Sequence, residues 1–139
     1  MKINVILDEG AKMPTKAHST DAGFDLYSTK DFILYGKGSM TINTGVHVEI
    51  PKGYVGMIKS KSGLNVKHGL TTEGVIDSGY TGSIVVKVYN NSNNYCSIKK
   101  GQKLTQLVIM PIPEVELEQV ESFEETERGN GGFGSTGEY

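Results

Sequence analysis

Hydrophobic and polar residues alternate along most of the chain, which is the pattern of strands with one buried face. β-Branched and aromatic residues are concentrated in the same segments. Together these signals predict eight strands, at 2–7, 24–27, 39–44, 46–50, 55–60, 83–90, 104–109 and 115–120. Turn-forming residues separate them. Short strands at regular spacing indicate an all-β fold, which is a sandwich, a barrel or a jelly roll.

Only one segment, 62–68, suits a helix, and it is short. Ser62 is a favourable N-cap because its hydroxyl can accept a hydrogen bond from a free backbone N–H group. Gly69 can adopt the left-handed conformation that ends many helices. The sequence therefore predicts one β domain over 1–120 with a single short helix, followed by a flexible, Gly-rich arm over 121–139.

The composition limits what this domain can be. The chain has 139 residues, of which 37% are hydrophobic, so we expect one domain with a small core that subunit contacts could complete. The single cysteine, Cys96, excludes an internal disulfide framework and a cysteine-rich zinc site. No hydrophobic run is long enough to span a bilayer, and residues 1–10 do not resemble a secretory signal. We therefore expect a cytoplasmic protein that does not bind a membrane.

Charge is divided unevenly along the chain. Residues 1–113 contain 13 Lys and 8 acidic residues, whereas residues 114–139 contain one Arg and 8 Glu. A basic body could bind an anion, but charge that serves solubility is the favoured interpretation when charge is taken alone. Basic residues do not form a stripe interleaved with aromatic residues, and Trp is absent. Nucleic-acid binding is therefore not expected.

The arm combines glycine flexibility with residues that can hold a ligand. Residues 121–127 are acidic and residues 129–137 include five Gly, so the arm cannot bury enough apolar area to order by itself. Arg128, the only Arg in the chain, could bind phosphate through two parallel hydrogen bonds. A simple linker has little need of Phe133. Composition alone favours a frayed terminus, and the alternative is a flap that orders over a ligand.

Several polar residues of the body could carry chemistry. Asp25 could orient the water ligands of Mg²⁺, which keeps several waters, or it could be an ordinary carboxylate at a strand edge. Lys61, Ser62 and Gly63 begin the predicted helix, where positive charge and free N–H groups could bind an anion. Simple capping of that helix is the alternative. Gln106 is the polar member of a hydrophobic strand, so it faces either a ligand or solvent.

The segment 74–82 places a carboxylate directly after a hydrophobic strand and inside a tight turn. Asp77 is held rigidly there, and a rigid carboxylate can orient and deprotonate a water molecule. Tyr80 could pack flat against a sugar. The alternative is a hairpin turn in which Asp77 only caps backbone N–H groups. The three histidines lie far apart and lack metal-ligand spacing, so we expect them to be structural or surface residues.

Taken together and in this order, these clusters resemble the five motifs of the trimeric dUTP pyrophosphatases, the dUTPase family. The third and fifth motifs are specific, and the resemblance covers nearly the whole chain. The matching segments are AGFDLYS at 22–28, KSGL at 61–64, GVIDSGYTG at 74–82, GQKLTQLV at 101–108 and RGNGGFGSTG at 128–137.

The resemblance implies a jelly-roll protomer that assembles into a homotrimer with shared active sites. The arm of one chain would close over a site formed by its neighbours. The implied reaction is hydrolysis of dUTP to dUMP and pyrophosphate with Mg²⁺ as cofactor. In metabolism that reaction would keep uracil out of DNA and supply dUMP for dTMP synthesis.

The resemblance also implies roles for individual residues. Asp77 would activate the attacking water, Tyr80 would support the deoxyribose, and Asp25 would bind the water shell of Mg²⁺. Arg128 would grip the γ-phosphate, and Phe133 would stack on uracil. The other implied substrate-binding residues, which form the uracil pocket or hold phosphate oxygens, are Lys61, Ser62, Gly63, Thr71, Gly74, Val75, Ile76, Gln106, Gly134, Ser135 and Thr136.

Two departures from the family pattern concern individual residues. Lys61 stands where the family usually has Arg, so a point charge replaces a planar fork, and Gln102 stands where an acidic residue is usual. Two alternatives to the pyrophosphatase stay open. One is a nucleotide-gated regulatory or binding protein on the same fold. The other is an enzyme like dCTP deaminase, for which Glu73 would be the base-pocket carboxylate.

Overall fold

The computed structural model describes all of residues 1–139, which form nine strands and one short helix. The helix, α1, spans Ser62–His68 between the fifth and sixth strands. The strands are β1 (Val5–Leu7), β2 (Gly23–Tyr27), β3 (Phe32–Leu34), β4 (Ser39–Val48), β5 (Tyr54–Lys59), β6 (Leu70–Ile76), β7 (Ser83–Asn90), β8 (Cys96–Ile98) and β9 (Lys103–Pro111).

The strands form two antiparallel sheets around one core. Seven strands pair in the order β1-β4-β7-β6-β5-β9-β2, and β3 pairs with β8. Buried and exposed positions alternate along β7, because successive side chains of a strand point to opposite faces. Its buried side chains join a cluster of 16 hydrophobic residues. The curled arrangement confirms the predicted all-β, jelly-roll-like fold with one short helix.

Strand β4 contains a bulge that the sequence pattern did not predict. The predicted strands 39–44 and 46–50 are one strand whose pairing with β7 shifts between Asn43 and His47. Gly45 lies in the bulge with φ of 66°, a conformation that favours glycine. A Cβ atom on Gly45 would lie 2.9 Å from the Cβ of Ala11. The bulge therefore depends on glycine at this position, and it changes the direction of the side chains that follow.

The helix has its predicted bounds, but Ser62 is not its N-cap. Lys61 occupies the cap position in an extended conformation, and no side chain makes a capping hydrogen bond. Gly69 ends the helix with φ of 69°, and its N–H donates to the carbonyl of Asn65, as predicted. Helix α1 buries none of its residues, and the structure has no helix of the length and hydrophobicity needed to cross a membrane.

The predicted strand at 115–120 is wrong. The last strand ends at Pro111, and Val115 and Leu117 are 65% and 97% exposed. Alternation alone does not make a strand, because a strand also needs a neighbour with which to exchange backbone hydrogen bonds. Beyond Ile112, whose N–H donates to Gly53, only an exposed ion pair of Glu114 ties the chain to the body.

Candidate active site

The turn between β6 and β7 presents Asp77 and Tyr80. The N–H of Tyr80 donates to the backbone carbonyl of Asp77 at 3.2 Å, and Gly79 supplies the positive φ, 88°, that the third position of such a turn requires. The Tyr80 hydroxyl donates to the carbonyl of Ser83 at 3.0 Å. A Cβ atom on Gly82 would lie 2.4 Å from that hydroxyl, so the Tyr80 side chain can take this position only because residue 82 is glycine.

The same turn borders a small open cavity of about 240 Å³. The Asp77 carboxylate is exposed at its edge, and the Tyr80 ring forms one wall. The lining residues are Val75, Ile76, Asp77, Tyr80, Ser83 and Val85. We call these residues, with the turn 77–82, the turn site. It offers an apolar wall, an aromatic ring and one carboxylate, which suit a nucleoside beside a bound water.

Thr71 and Gly74 do not line this cavity. Thr71 lies at the other end of β6, about 20 Å along the strand from Asp77, and its hydroxyl accepts a hydrogen bond from the amide of Asn91 at 2.9 Å. Gly74 lies opposite Ile58 of β5, and a Cβ atom there would make ordinary contact with Ile58 at 3.4 Å. Of the predicted uracil-pocket residues, the structure brings Val75 and Ile76 to Asp77.

A second polar group lies on the ladder of β2, β9 and β5. Asp25 is opposite Gln106, which is opposite Lys59. The carboxylate of Asp25 forms ion pairs with Lys61 and, at 2.8 Å, with Lys103. We call Asp25, Lys61, Lys103 and Gln106 the lysine cluster. Because its two ammonium groups flank one carboxylate, the cluster is net positive and suits a phosphate chain.

Gln106 reaches the cluster because Gly23 has no side chain. The Gln106 amide donates to the carbonyl of Ser60 at 3.0 Å. A Cβ atom on Gly23 would lie 2.5 Å from the Gln106 side-chain oxygen. Ser62 and Gly63 follow at the exposed start of α1, so their hydroxyl and N–H groups are open to a ligand.

Lys103 is the residue of this group that the sequence analysis missed. Strict alternation places Lys103 and Gln106 on opposite faces of β9. The pairing of β2 with β9, however, shifts between Leu26 and Tyr27, so Lys103 joins Asp25 on the face of Gln106. At this shift the consecutive residues Leu104 and Thr105 are both buried, which breaks the alternation of the strand. No other signal of the shift is present in the sequence.

Burial raises the pKa of Asp25, but hydrogen bonds from Lys103 and Lys61 outweigh it, and the net pKa lies below the ordinary 3.8. The same contact with Asp25 raises the pKa of Lys103. Since the folded-state pKa of Asp25 is lowered, its stabilising effect is complete above about pH 4 and is lost as the pH falls through the lowered value.

Asp25→Asn is expected to lower the free energy of unfolding at neutral pH by about 1–3 kcal/mol, since two charge-assisted hydrogen bonds are lost. The difference from the unsubstituted protein should be constant between pH 6 and about 4 and should shrink as the pH falls further, through the lowered pKa of Asp25. Urea unfolding across that pH range measures both effects. Glu124→Gln, in the exposed arm, is the matched control and should change neither quantity. A constant difference at every pH would contradict the ion-pair argument.

The residues present do not form a site for a resident Mg²⁺ ion. No three His, Cys, Asp or Glu residues are grouped as metal ligands, and the one carboxylate of the lysine cluster already binds two ammonium groups. A dication beside two lysines is electrostatically unfavourable unless a polyanion accompanies it. The predicted role of Asp25 toward the water shell of Mg²⁺ therefore stays a prediction.

The turn site and the lysine cluster are far apart within one chain. Ile76 pairs with Gly56 at the start of β5, and Glu73 pairs with Lys59 at its end. Asp77 would be level with residue 55, so Lys61 lies about 20 Å along the strand direction from the level of Asp77. One chain does not bring its predicted catalytic carboxylate to its predicted phosphate-binding residues.

The arm forms a third separate group. Arg128 donates through Nε to the carbonyl of Gly131 at 2.8 Å. Phe133 is fully exposed with φ of 47°, followed by Gly134 with φ of 96°. An open cavity of about 390 Å³ is lined by Glu127, Arg128, Gly131, Ser135 and Thr136. The arm therefore holds its phosphate-binding candidates together but away from both other groups.

Comparisons with known proteins match nearly the whole of this chain. The family model for dUTPase matches residues 9–137. The deoxyuridine 5'-triphosphate nucleotidohydrolase of Clostridium tetani is 43% identical over 135 residues, which are 95% of this chain and 93% of that protein. The enzyme of the same name from Kluyveromyces lactis is 43% identical over 129 residues, which are 91% of this chain and 87% of that protein.

Solved structures agree with these sequence matches. The Staphylococcus bacteriophage 80alpha dUTPase with dUPNHPP has a TM-score of 0.91 and 36% identity, with 98% of each chain covered. A mutant of the dUTPase from phage phi11 of S. aureus, which coordinates a structural Mg(II) ion, has a TM-score of 0.82 and 35% identity. That comparison covers 90% of this chain and 100% of the phage chain. The chain therefore belongs to the dUTPase family.

Proposed function

We propose that the protein hydrolyses dUTP to dUMP and pyrophosphate at sites shared between the subunits of a homotrimer. The observation that supports this most directly is the separation of the turn site, the lysine cluster and the arm within one chain. Each holds part of the chemistry that the reaction needs, and none is complete. The phage 80alpha dUTPase binds dUPNHPP, which supports a deoxyuridine triphosphate as the substrate.

The exposed hydrophobic surface supports assembly. A groove of about 300 Å³ between the N-terminal segment and the β2-β9-β5 ladder is lined almost entirely by hydrophobic side chains. Val115 and Leu117 are exposed as well. Contact with other copies of the chain would remove this area from water, which is favourable in proportion to the area covered. The number of subunits, three, comes from the family resemblance.

In the proposed mechanism the Asp77 carboxylate orients a water molecule and accepts one of its protons. The water oxygen forms a bond to the α-phosphorus as the bond from that phosphorus to the bridging oxygen breaks, and pyrophosphate leaves. The turn suits this role because the Tyr80–Asp77 backbone hydrogen bond fixes the main chain and leaves the carboxylate free.

The triphosphate repels an incoming nucleophile, so its charge must be offset first. In the proposal Lys61 and Lys103 offset part of that charge, Ser62 and Gln106 donate to phosphate oxygens, and Arg128 of an arm grips the γ-phosphate. Mg²⁺, if it enters as a complex with the triphosphate, would supply further charge compensation. Lys61 stands where the family usually has arginine, and Lys103, which pairs with the same Asp25 carboxylate, adds a second positive charge beside it.

Base selection in the proposal comes from the wall of the turn site. The backbone of Val75 and Ile76 would pair with the uracil edge, and a base of different donor pattern would leave buried polar groups unpaired. Glu73, the carboxylate that a deaminase would need, is instead exposed and engaged elsewhere, because Lys59 donates to both of its oxygens at 3.0 and 3.1 Å. This contact disfavours the deaminase alternative.

Pyrophosphate release from dUTP, dCTP, dTTP and UTP tests the proposal. We expect rapid release from dUTP and release roughly 100-fold slower from the other three, since the mismatched hydrogen-bonding edge of dCTP, the added methyl group of dTTP and the added hydroxyl of UTP each carry a penalty of that order. Equal rates on all four nucleotides would contradict the base-reading wall. Deaminated product from dCTP would replace the proposal with the deaminase alternative.

The regulatory alternative has one observation in its favour. For the phage 80alpha dUTPase, control of virulence-gene transfer by a G protein-like mechanism has been described. In this chain an arm that orders on nucleotide would be the element able to present a new surface. A nucleotide-gated partner role therefore stays a second prediction beside catalysis.

A further inference from the structure

We propose that His47 is a positioning residue, whose imidazolium ties the turn that carries Asp77 and Tyr80 to Asp8. Nδ1 of His47 lies 2.8 Å from the carbonyl oxygen of Thr81, and Nε2 lies 3.0 Å from a carboxylate oxygen of Asp8. The inference rests on the proposed function, because it concerns the turn to which that proposal assigns the catalytic carboxylate.

Both partners of the ring are hydrogen-bond acceptors. A backbone carbonyl and an ionised carboxylate have no proton to donate, so each ring nitrogen must carry its own. Neutral imidazole carries one proton and satisfies only one of the two partners. The imidazolium form satisfies both and also faces the negative charge of Asp8, so the bridge is complete only when His47 is protonated.

The contact between His47 and Thr81 is the single hydrogen bond that joins the turn 77–82 to a part of the protein outside the β6–β7 hairpin. Residues 77–82 otherwise bond only within the β6–β7 hairpin, through Tyr80 N–H to Asp77 and Tyr80 hydroxyl to Ser83. His47 is also the ladder partner of Ser83. The ring therefore contacts the turn close to Ser83, whose carbonyl accepts the hydrogen bond from the Tyr80 hydroxyl.

The bulge in β4 positions Asp8, which is the second partner of the His47 ring. The register shift that ends at His47 surrounds Gly45, whose carbonyl accepts the N–H of Asp8 at 2.8 Å. The side chain of Asp8 also packs beside Gly45, where a Cβ atom would lie 3.3 Å from that of Asp8. Asp8 is thus fixed next to the strand that carries its partner, which lowers the entropy cost of the bridge.

The other ionisable groups around His47 do not compete for its ring. Only Asp8 lies within ion-pair distance. The remaining ionisable groups on the neighbouring elements are Lys2 and Glu9 beside β1, Glu49 just after β4, Asp77 and Tyr80 in the turn, and Lys87 and Tyr89 on β7. The histidine side chain is 25% exposed and the Asp8 side chain 53% exposed, so the proton exchanges freely with solvent.

The hydrogen bond to the Thr81 carbonyl raises the pKa of His47, partial burial opposes this, and Asp8 raises the pKa further, so the net value lies above the ordinary 6.5. With a raised folded-state pKa, the contribution of the bridge is fully present below about pH 6.5. It is lost as the pH rises through the raised value. The turn should therefore loosen on the alkaline side of neutrality.

The test compares kcat/KM for dUTP from pH 6 to 9 in the full-length protein with the midpoint of His47 followed by NMR. We expect an alkaline fall in kcat/KM whose midpoint coincides with that of the His47 ring. The backbone amide signals of Gly79 and Gly82 should shift with the same midpoint. His47→Ala should lower kcat/KM by about tenfold below pH 7 and remove the inflection.

His47→Gln supplies one permanent donor for Thr81. It should retain more of kcat/KM than His47→Ala and show no inflection, which a purely structural role for the ring does not predict. His68→Gln, at the exposed end of α1, is the matched control and should keep the unsubstituted profile. An inflection that persists in His47→Ala, or a His47→Ala profile equal to that of the unsubstituted protein, would overturn the proposal.

Asp8→Asn keeps the proposal testable if His47→Ala fails to fold. Loss of the Asp8 charge should lower the His47 midpoint, and the kinetic and Gly79 amide midpoints should fall by the same amount. A lower ring midpoint with unmoved kinetic and amide midpoints would refute the positioning role. Failure of the proposed function is distinguishable, because Asp77→Asn would then keep full turnover while the amide measurement still decides whether His47 holds the turn.

Discussion

Asp77→Asn is expected to lower kcat for dUTP hydrolysis by about 10²- to 10⁴-fold, the range that a positioned general base contributes. The amide has the same shape as the carboxylate but cannot accept the proton of the attacking water. The turn should survive, because Tyr80 bonds to the backbone carbonyl of Asp77 and not to its side chain. Steady-state pyrophosphate release measures the loss, and thermal unfolding shows that the fold is kept.

Asp31→Asn is the control for this substitution. Its carboxylate is exposed and accepts a backbone N–H from Lys100 at 2.7 Å, outside all three proposed substrate-binding groups. This variant should retain turnover. If Asp77→Asn hydrolysed dUTP at the unsubstituted rate, Asp77 would not be the base, and the turn site would have to act by binding alone.

Truncation after Glu127 should remove most turnover, by at least about 100-fold, while leaving the folded body and its assembly intact. The deletion takes away Arg128, whose charge the proposal places on the γ-phosphate, and Phe133, which would cover the base. It also removes the segment that excludes water from the closed site. The body should not be affected, because residues 128–139 make no hydrogen bond to it.

Pyrophosphate release, circular dichroism and sedimentation on the truncated protein check each part of this expectation. Full turnover without the arm would contradict its role as a flap. Mixing the truncated protein with the Asp77→Asn variant provides a sharper control. If sites are shared, subunit exchange creates some sites with both an intact Asp77 and an intact arm, and activity returns. If each site is built from one chain, the mixture stays inactive.

Much of the fold could be predicted because a strand that is buried on one face has alternating hydrophobic and polar residues. The β7 prediction, 83–90, matches the observed strand, and the helix ends where predicted because Gly69 is a strong stop signal. Strands β3 and β8 have only three residues each, too few to show a period. Strand β6 was missed because Gly and polar residues interrupt its hydrophobic positions.

The roles predicted for the candidate site residues stay predictions, and the placement of those residues could be predicted from the sequence only in part. Motif order placed Asp77 and Tyr80 in a tight turn, Asp25 at the entry to a strand and Gln106 within a hydrophobic strand. It did not identify Lys103, because a shift in register is a property of two paired strands and not of either sequence alone. For the same reason the His47 bridge was not predicted, since it depends on the β4 bulge.

The distance of about 20 Å between the level of Asp77 and Lys61 along one chain has a consequence for newly made protein. If the sites are shared as proposed, a solitary polypeptide leaving the ribosome would carry every residue of the proposed chemistry and yet be inert toward its nucleotide. Catalysis would begin only when copies assemble, so the active fraction of the enzyme would depend on the concentration of the polypeptide itself.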